Sequence, residues 1–222
     1  MRIRIGIIIG ALLLGWWGYK EFKLASGAKA TPQKLTCAEL GEKGPGANNH
    51  VALTDFFLVT HSFVYAEKKG KWDTVWVPAV PSDGPYLAKI LETMAEKGEN
   101  AELPPPEDCK VIVQFKDVTS ERALDSYSSR SNIKGLIINE IDSLGGEERR
   151  LLEQSYPGID MSKCWILEPG RKPKSAGITL GAIGLAVAGI AGVVIQWVLA
   201  NKKADARRQA QADRAARRET EA

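Results

Sequence analysis

The stretch AGITLGAIGLAVAGIAGVVIQWVLA, residues Ala176–Ala200, decides the architecture of this chain. It contains no charged residue over 25 positions, and roughly 20 helical residues are enough to cross the hydrocarbon core of a bilayer. Gln196 and Trp197 lie near one end of the stretch, where an amide and an indole suit the membrane–water interface. We therefore predict a transmembrane helix over residues 176–200 and not the buried helix of a soluble domain.

A second apolar block lies near the N-terminus. Ile5–Tyr19 carries no charge and follows Arg2 and Arg4, and it ends in aromatic residues that suit the bilayer interface. We predict that residues 1–19 are a transmembrane signal anchor. A cleaved signal peptide is the alternative, since Ala28-Lys29-Ala30 matches a small-x-small cleavage site. The charged and aromatic residues between the apolar core and that site make the gap too long.

Both apolar blocks carry small residues at helical spacing. The candidate helix-packing positions are Gly6, Gly10, Gly177, Gly181, Gly184, Ala188 and Gly192. Small residues four apart let membrane helices approach closely, which predicts pairing of the two helices or a homodimer. The alternative is that glycine and alanine are simply frequent in membrane helices.

The distribution of Lys and Arg around the apolar blocks predicts the orientation of the chain. Seven Lys/Arg follow Ala200, whereas four precede Ala176 within a similar distance, and Arg2 and Arg4 precede the first block. Basic residues flank membrane helices on the cytoplasmic side. We predict that both termini are cytoplasmic, with a basic Ala/Arg-rich tail at residues 201–222, as in a bacterial inner-membrane protein. The middle of the chain is then extracytoplasmic.

The middle of the chain is long enough for one folded domain. Residues 20–174 carry 21 Lys/Arg and 23 Asp/Glu, so this region lacks the basic excess of a nucleic-acid-binding protein. Residues 20–34 read as a linker and residues 35–170 as the domain. The bilayer and an envelope protein are the predicted partners, and no nucleic acid is expected.

Strand-like and helix-like patterns alternate along residues 35–170. The predicted strands are His50–Leu58, Phe63–Ala66, Trp72–Val77, Lys110–Phe115, Ile133–Ile141 and Ser162–Leu167. The predicted helices are a turn at Leu35–Leu40, a helix after Ser82 that Gly98 ends, and helices at Thr119–Tyr127 and Glu147–Ser155. This order predicts an α+β or α/β domain around one mixed sheet.

The predicted β-hairpin is the first candidate for a functional surface. Phe63, Tyr65, Trp72 and Trp76 lie on its two strands, on either side of a loop at residues 67–71. Packing into the core is the preferred interpretation of these aromatic residues. An interaction surface is the alternative, because aromatic side chains anchor protein interfaces.

The three cysteines, Cys37, Cys109 and Cys164, do not form a recognisable metal or disulfide pattern. They predict small buried thiols, and the sequence leaves open whether any two form a disulfide. The two histidines do not match a known metal-ligand spacing. Cys109 and His61 could form a nucleophilic pair, but neither lies in a recognisable catalytic motif. We predict no catalytic residue, no cofactor and no metal.

A group of carboxylates is the remaining candidate for chemistry. It comprises Asp117, Glu121, Asp125, Glu140 and Asp142. Paired acids serve acid–base catalysis, but the folded region carries 23 acids, so such groups arise by chance. We interpret these carboxylates as ordinary surface residues.

The plan of the whole chain suggests a function. A terminal helix, an external domain and a second terminal helix, together with the aromatic exit Gly15-Trp16-Trp17, are similar to the plan of some two-pass assembly factors of respiratory oxidases. That similarity implies a role in assembling or maintaining a membrane or envelope complex. We therefore predict a two-pass membrane protein whose external domain binds protein partners. A membrane-tethered enzyme with an unrecognised active site is the alternative.

Overall fold

The computed structural model describes residues 2–98, 101–107, 109–139 and 146–220 of the chain. Glu140 and Asp142 of the predicted acidic group lie outside the described residues, as does the end of the predicted strand at Ile141. The chain divides into two units. A helical unit comprises Met1–Phe22 and Ser175–Ala222, and a folded unit comprises Lys23–Lys174.

The helical unit is formed by two long helices, α1 (Arg2–Ser26) and α6 (Ala176–Thr220). Each contains a segment long and apolar enough to span a membrane, over Ile5–Ser26 and Ala176–Asp205. The apolar helices predicted from the sequence are confirmed. Their orientation, and the extracytoplasmic placement of the folded unit, stay predictions.

The described residues of the folded unit form eight strands in one mixed sheet. The strands are β1 (Gln33–Thr36), β2 (His50–Thr54), β3 (Phe56–Leu58), β4 (Val64–Lys68), β5 (Lys71–Pro81), β6 (Val111–Phe115), β7 (Ile133–Ile137) and β8 (Trp165–Pro169). Four helices accompany them, α2 (Cys37–Lys43), α3 (Pro85–Lys97), α4 (Glu121–Ser128) and α5 (Gly146–Ser155). This arrangement confirms the predicted mixed α/β class.

The helices begin and end at residues with clear local reasons. Thr36 caps α2 by accepting from the Glu39 backbone N–H at 3.1 Å, while the Glu39 carboxylate accepts from the Thr36 N–H at 3.0 Å. Helix α3 begins at Pro85 and ends at Gly98, as predicted. The sequence predicts one apolar stripe on this helix, formed by Leu87, Ile90, Leu91 and Met94. Of these residues only Ile90 is buried, and Leu91 is 60% exposed. The stripe therefore does not lie wholly against the core.

The sheet curls until it is nearly closed. Its strand order is β1-β2-β7-β8-β6-β5-β3, and β4 pairs with the first half of β5. β2 and β3 lie near opposite ends of this order, but only Asp55 separates them in the chain. Because one residue spans only a few ångströms, the two ends of the sheet must come together. Asp55 turns the chain there with a left-handed φ of 50°.

The core lies on both faces of the sheet. Inside the curl, Val51, Val77 and Phe115 pack with Leu40 of α2 and Leu124 of α4. These five side chains are 0–1% exposed. Because Leu40 and Leu124 pack on the inner face of the sheet, α2 and α4 cover that face.

The outer face carries a second core. Trp76, Ile112 and Leu136 pack there with Leu152 of α5 and Leu24 near the end of α1. Burying one such side chain contributes about 1.5–3 kcal/mol. Successive strand residues point to opposite faces, so β5 supplies Trp76 to the outer core and Val77 to the inner one.

Several strand predictions differ from the structure. The predicted strand at 50–58 is divided at Asp55 into two strands with different sheet neighbours. The strands predicted at 133–141 and 162–167 are observed as Ile133–Ile137 and Trp165–Pro169. The strand predicted at 72–77 continues to Pro81, because β5 pairs with β6 as far as Ala79 and with β3 beyond it. The Pro78 carbonyl also accepts from the Val59 N–H at 2.9 Å. Pro78 needs no donor of its own for this contact, which removes the reason to expect a strand end there.

Candidate functional site

The β4–β5 hairpin is tighter than the sequence predicts. Its loop consists of Lys69 and Gly70 alone, with φ angles of 55° and 75°. Two consecutive positive φ angles are typical of the type I′ turn, whose twist matches that of paired strands. Glycine adopts such angles readily, whereas a lysine there was not expected. The short loop fixes the register of the aromatic residues on both strands.

Three of the predicted aromatic residues form a cluster on this hairpin. The Tyr65 and Trp72 rings stack with centroids 4.8 Å apart, and Phe63 lies 5.2 Å from Trp72 and 6.0 Å from Tyr65. Phe63 and Trp72 are half-buried, while Tyr65 is 43% exposed. We call Phe63, Tyr65 and Trp72 the aromatic cluster.

Trp76 does not belong to this surface. It points to the outer core and is fully buried, in line with the core interpretation of the aromatic residues. Its indole N–H has no hydrogen-bond partner among the described residues. Strict alternation would place Trp72 and Trp76 on the same face of β5, but the register shift opposite Ala66 and Glu67 puts them in different environments.

The cysteines are free, buried thiols. The Cys37 thiol donates to the Ala79 carbonyl at 3.5 Å, and the Cys109 thiol donates to the Val111 carbonyl at 2.9 Å and lies 3.6 Å from the same Ala79 oxygen. Cys164 donates to the Cys109 carbonyl at 3.4 Å. Burial raises the pKa of Cys37 to about 12 and that of Cys164 to about 11, and it raises the pKa of Cys109 further. Neutral thiols of this kind are poor nucleophiles and poor metal ligands.

His61 has a partner other than Cys109. Its Nε2 lies 3.2 Å from the Tyr86 hydroxyl, which also donates to the Pro104 carbonyl at 2.7 Å. Partial burial lowers the pKa of His61, and burial raises that of Tyr86 to about 12. These contacts link the loop that contains Pro104 to Tyr86 at the start of α3, so His61 and Tyr86 have a structural role.

Within the described residues, no three His, Cys, Asp or Glu side chains come together as a metal site. Of the predicted acidic group, Asp117 accepts a hydrogen bond of 2.9 Å from Tyr127, and Arg130 lies 4.0 Å over the Tyr127 ring. The acids at 117, 121 and 125 are exposed.

The small residues predicted for helix packing are not at the contact between α1 and α6. A Cβ built on Gly15 would lie 3.3 Å from the Ala186 Cβ, and one on Gly18 would lie 3.0 Å from Ile183. A Cβ built on Gly189 would lie 3.6 Å from the Ala11 Cβ. The helices are thus antiparallel and close.

At the predicted glycines the surroundings are open. Among the described residues, nothing lies within 4 Å of a Cβ built at Gly6, Gly10, Gly177, Gly181, Gly184 or Gly192. Their use in a homodimer, like that of Ala188, stays a prediction.

A basic cavity of about 360 Å³ is a site that sequence reasoning missed. Its walls include His50, Lys134, Arg171 and Lys172. These residues are far apart in sequence, and only the pairing of β2 with β7, and of β7 with β8, brings them together. The sequence contained one signal, the run Arg171-Lys172-Pro-Lys174 directly before the second apolar helix.

The folded unit therefore offers two surfaces that are open to a ligand or partner, the aromatic cluster and the basic cavity. Buried thiols and the His61–Tyr86 pair are engaged within the fold. Comparison of the chain with protein-family models, curated proteins and solved structures finds no match.

Proposed function

We propose that this chain is a two-pass membrane protein whose folded unit binds a protein partner through the aromatic cluster of the β4–β5 hairpin. The observation that carries the proposal is that the exposed Tyr65 ring stacks on the half-buried Trp72 ring, with Phe63 in contact with both. Large aromatic side chains that are already packed against one another lose little conformational freedom on binding, and they dominate the energy of many interfaces.

The surroundings of the cluster support a protein as the partner. Among the described strands β4 pairs only with β5, so its other edge leaves backbone groups available to an added strand. Lys68, Lys69 and Lys71 at the tip give the surface a positive rim. An apolar centre with a charged rim is the usual composition of a transient interface.

The location of the folded unit is part of the proposal. The excess of Lys and Arg after Ala200 favours a cytoplasmic C-terminus, and two crossings then return the N-terminus to the same side. The folded unit faces the extracytoplasmic side of a bacterial inner membrane. There it contributes to the assembly or maintenance of a membrane or envelope complex.

Photocrosslinking in cells tests the surface. A photoreactive phenylalanine analogue replaces Tyr65 in one chain and Leu91 in another, because Leu91 is an exposed apolar residue on a different element. We expect a discrete protein adduct from position 65 and none from position 91. Trp72→Ser in the position-65 chain should reduce that adduct at least fivefold. Equal adducts at both positions, or no effect of Trp72→Ser in a folded chain, would contradict the proposal.

Topology reporters test the location separately. One reporter is fused after Ala222 and another is inserted in the loop at residues 101–107. The proposal requires a cytoplasmic signal from the first and an extracytoplasmic signal from the second. Signals from the same compartment would exclude it.

A further inference from the structure

The basic cavity has a composition that favours an anion. Of the described residues that line it, three are cations, Lys134, Arg171 and Lys172, and none is a carboxylate. Arg171 donates to Glu168 at 2.7 Å, and Lys116 lies 3.3 Å from the same carboxylate. No described carboxylate lies within 4.0 Å of Lys134 or Lys172. The cavity therefore has an uncompensated positive charge, and charge of one sign in a concave wall concentrates counter-ions.

One wall of the cavity is held in place by Asn48. Its side-chain oxygen accepts from the backbone N–H groups of Lys29 and His50 at 2.8 and 3.1 Å. Its side-chain nitrogen donates to the Thr31 carbonyl at 3.2 Å. Asn48 is 5% exposed, so these hydrogen bonds are sheltered from water. The segment around Ala30 and Pro32, predicted as a linker, is thereby fixed as part of the site.

His50 provides a buried polar group at the cavity. It is 5% exposed, and its Nδ1 lies 2.9 Å from the Lys29 carbonyl oxygen. A carbonyl only accepts, so Nδ1 carries the proton of this hydrogen bond. Nε2 is the ring nitrogen left for a ligand. It can accept from a protonated phosphate oxygen.

The opposite wall is fixed by the backbone of β7 and β8. Gly170 adopts a left-handed φ of 74°, and its N–H donates to the Lys134 carbonyl at 2.9 Å. This turn directs Arg171 and Lys172 to the same cavity as the Lys134 side chain. Lys134 is therefore positioned by a paired strand, and Arg171 and Lys172 follow directly after a turn that is hydrogen-bonded to that strand.

We propose that this cavity binds a phosphate group, with Lys134, Lys172 and His50 as its direct contacts. Phosphate matches the two ammonium groups because its oxygens accept several charge-assisted hydrogen bonds at once, and a protonated phosphate oxygen can donate to the imidazole. In sequence the cavity residues Ala30 and Lys172 are each four positions from a membrane helix, after Ser26 and before Ala176. The phosphate thus comes either from a lipid headgroup or from a soluble anion. This inference is independent of the aromatic cluster.

The test uses the full chain in a nonionic detergent free of phosphate. Inorganic phosphate is titrated by isothermal calorimetry, and a phosphatidylglycerol is added in a parallel series followed by native mass spectrometry. Lys134→Gln with Lys172→Gln removes the two unpaired cations. Lys71→Gln with Lys97→Gln is the matched control, because both lysines are exposed and outside the cavity.

We expect saturable binding by the native chain and by the control, and an affinity at least tenfold weaker in the cavity variant. If the cavity variant loses affinity for inorganic phosphate, the site is assigned to a soluble anion. If it loses affinity for the phosphatidylglycerol alone, the site is assigned to a lipid headgroup. Ala30→Glu, which adds a carboxylate to the exposed rim, should weaken binding in the same series. Equal affinities in the cavity variant and the control, or no saturable binding of either probe, would overturn the proposal.

Discussion

Replacing Gly135 with alanine should strongly destabilise the folded unit. Gly135 lies in β7 opposite Pro169 of β8. A Cβ at this position would collide with the Glu168 carbonyl oxygen, and it would lie 2.8 Å from the Glu168 carbonyl carbon and 3.0 Å from the Pro169 Cα. Carbon atoms in contact are ordinarily about 3.5–4.0 Å apart.

The size of the destabilisation follows from the backbone atoms that must move to accommodate the added methyl group. All three close atoms belong to the backbone, so the clash is relieved only if β7 shifts away from β8 by up to about 1 Å. Overpacking of this kind costs about 1–3 kcal/mol, and one weakened ladder hydrogen bond adds about 1 kcal/mol. We expect a loss of about 2–4 kcal/mol. For a unit of this size that lowers the melting temperature by on the order of 10 °C.

Thermal unfolding of the full chain in detergent, followed by near-ultraviolet circular dichroism, measures the effect. Gly146→Ala is the control, because among the described residues nothing lies within 4 Å of a methyl group added at this position and alanine favours the helix. The control should unfold at or slightly above the native temperature. If Gly135→Ala and Gly146→Ala unfold together, β7 and β8 are not packed as closely as described.

Three further predictions concern the rest of the folded unit. Gly44→Ala should cost about 2–4 kcal/mol in urea unfolding, because Gly44 has a φ of 69° and an added Cβ would lie 2.5 Å from the Trp165 ring; an unchanged midpoint would exclude this contact. Asn48→Ala should speed hydrogen exchange at residues 29–32 and weaken phosphate binding, since it removes the hydrogen bonds that hold that wall; unchanged exchange would show that the wall is held otherwise. Burial raises the pKa of all three thiols from the ordinary 9.0, so the folded state retains their protons to a higher pH than the unfolded state does. The resulting stabilisation is complete below about pH 9 and should decrease as the pH rises above it. Urea midpoints that are equal at pH 8 and pH 10.5 would contradict this.

Local signals explain which parts of the fold the sequence could predict. The helix from Pro85 to Lys97 has proline at its start and glycine after its end, and both act within a few residues. The capping box of Thr36 and Glu39 is equally local and would have placed α2 correctly. The turn predicted at Leu35–Leu40 overlaps α2 but begins and ends earlier than the helix does.

Long-range pairing explains what the sequence could not predict. β1 begins in the segment predicted as a linker and crosses its end at residue 34, and it is a strand because it pairs in parallel with β2. The basic cavity depends on the same kind of pairing, since His50 lies opposite Leu136 and Lys134 opposite Ala52. No short-range pattern carries such information, so the site residues could not be grouped before the strand order was known.

The strand order has a consequence for synthesis of the protein. β8 is the last strand in the chain, but it lies between β7 and β6 and is the only described strand that joins the two halves of the sheet. A nascent chain that stops before Trp165 has two partial sheets with unpaired edges. Folding must therefore wait until translation is within a few residues of the second apolar helix, and truncated products should be prone to proteolysis and aggregation.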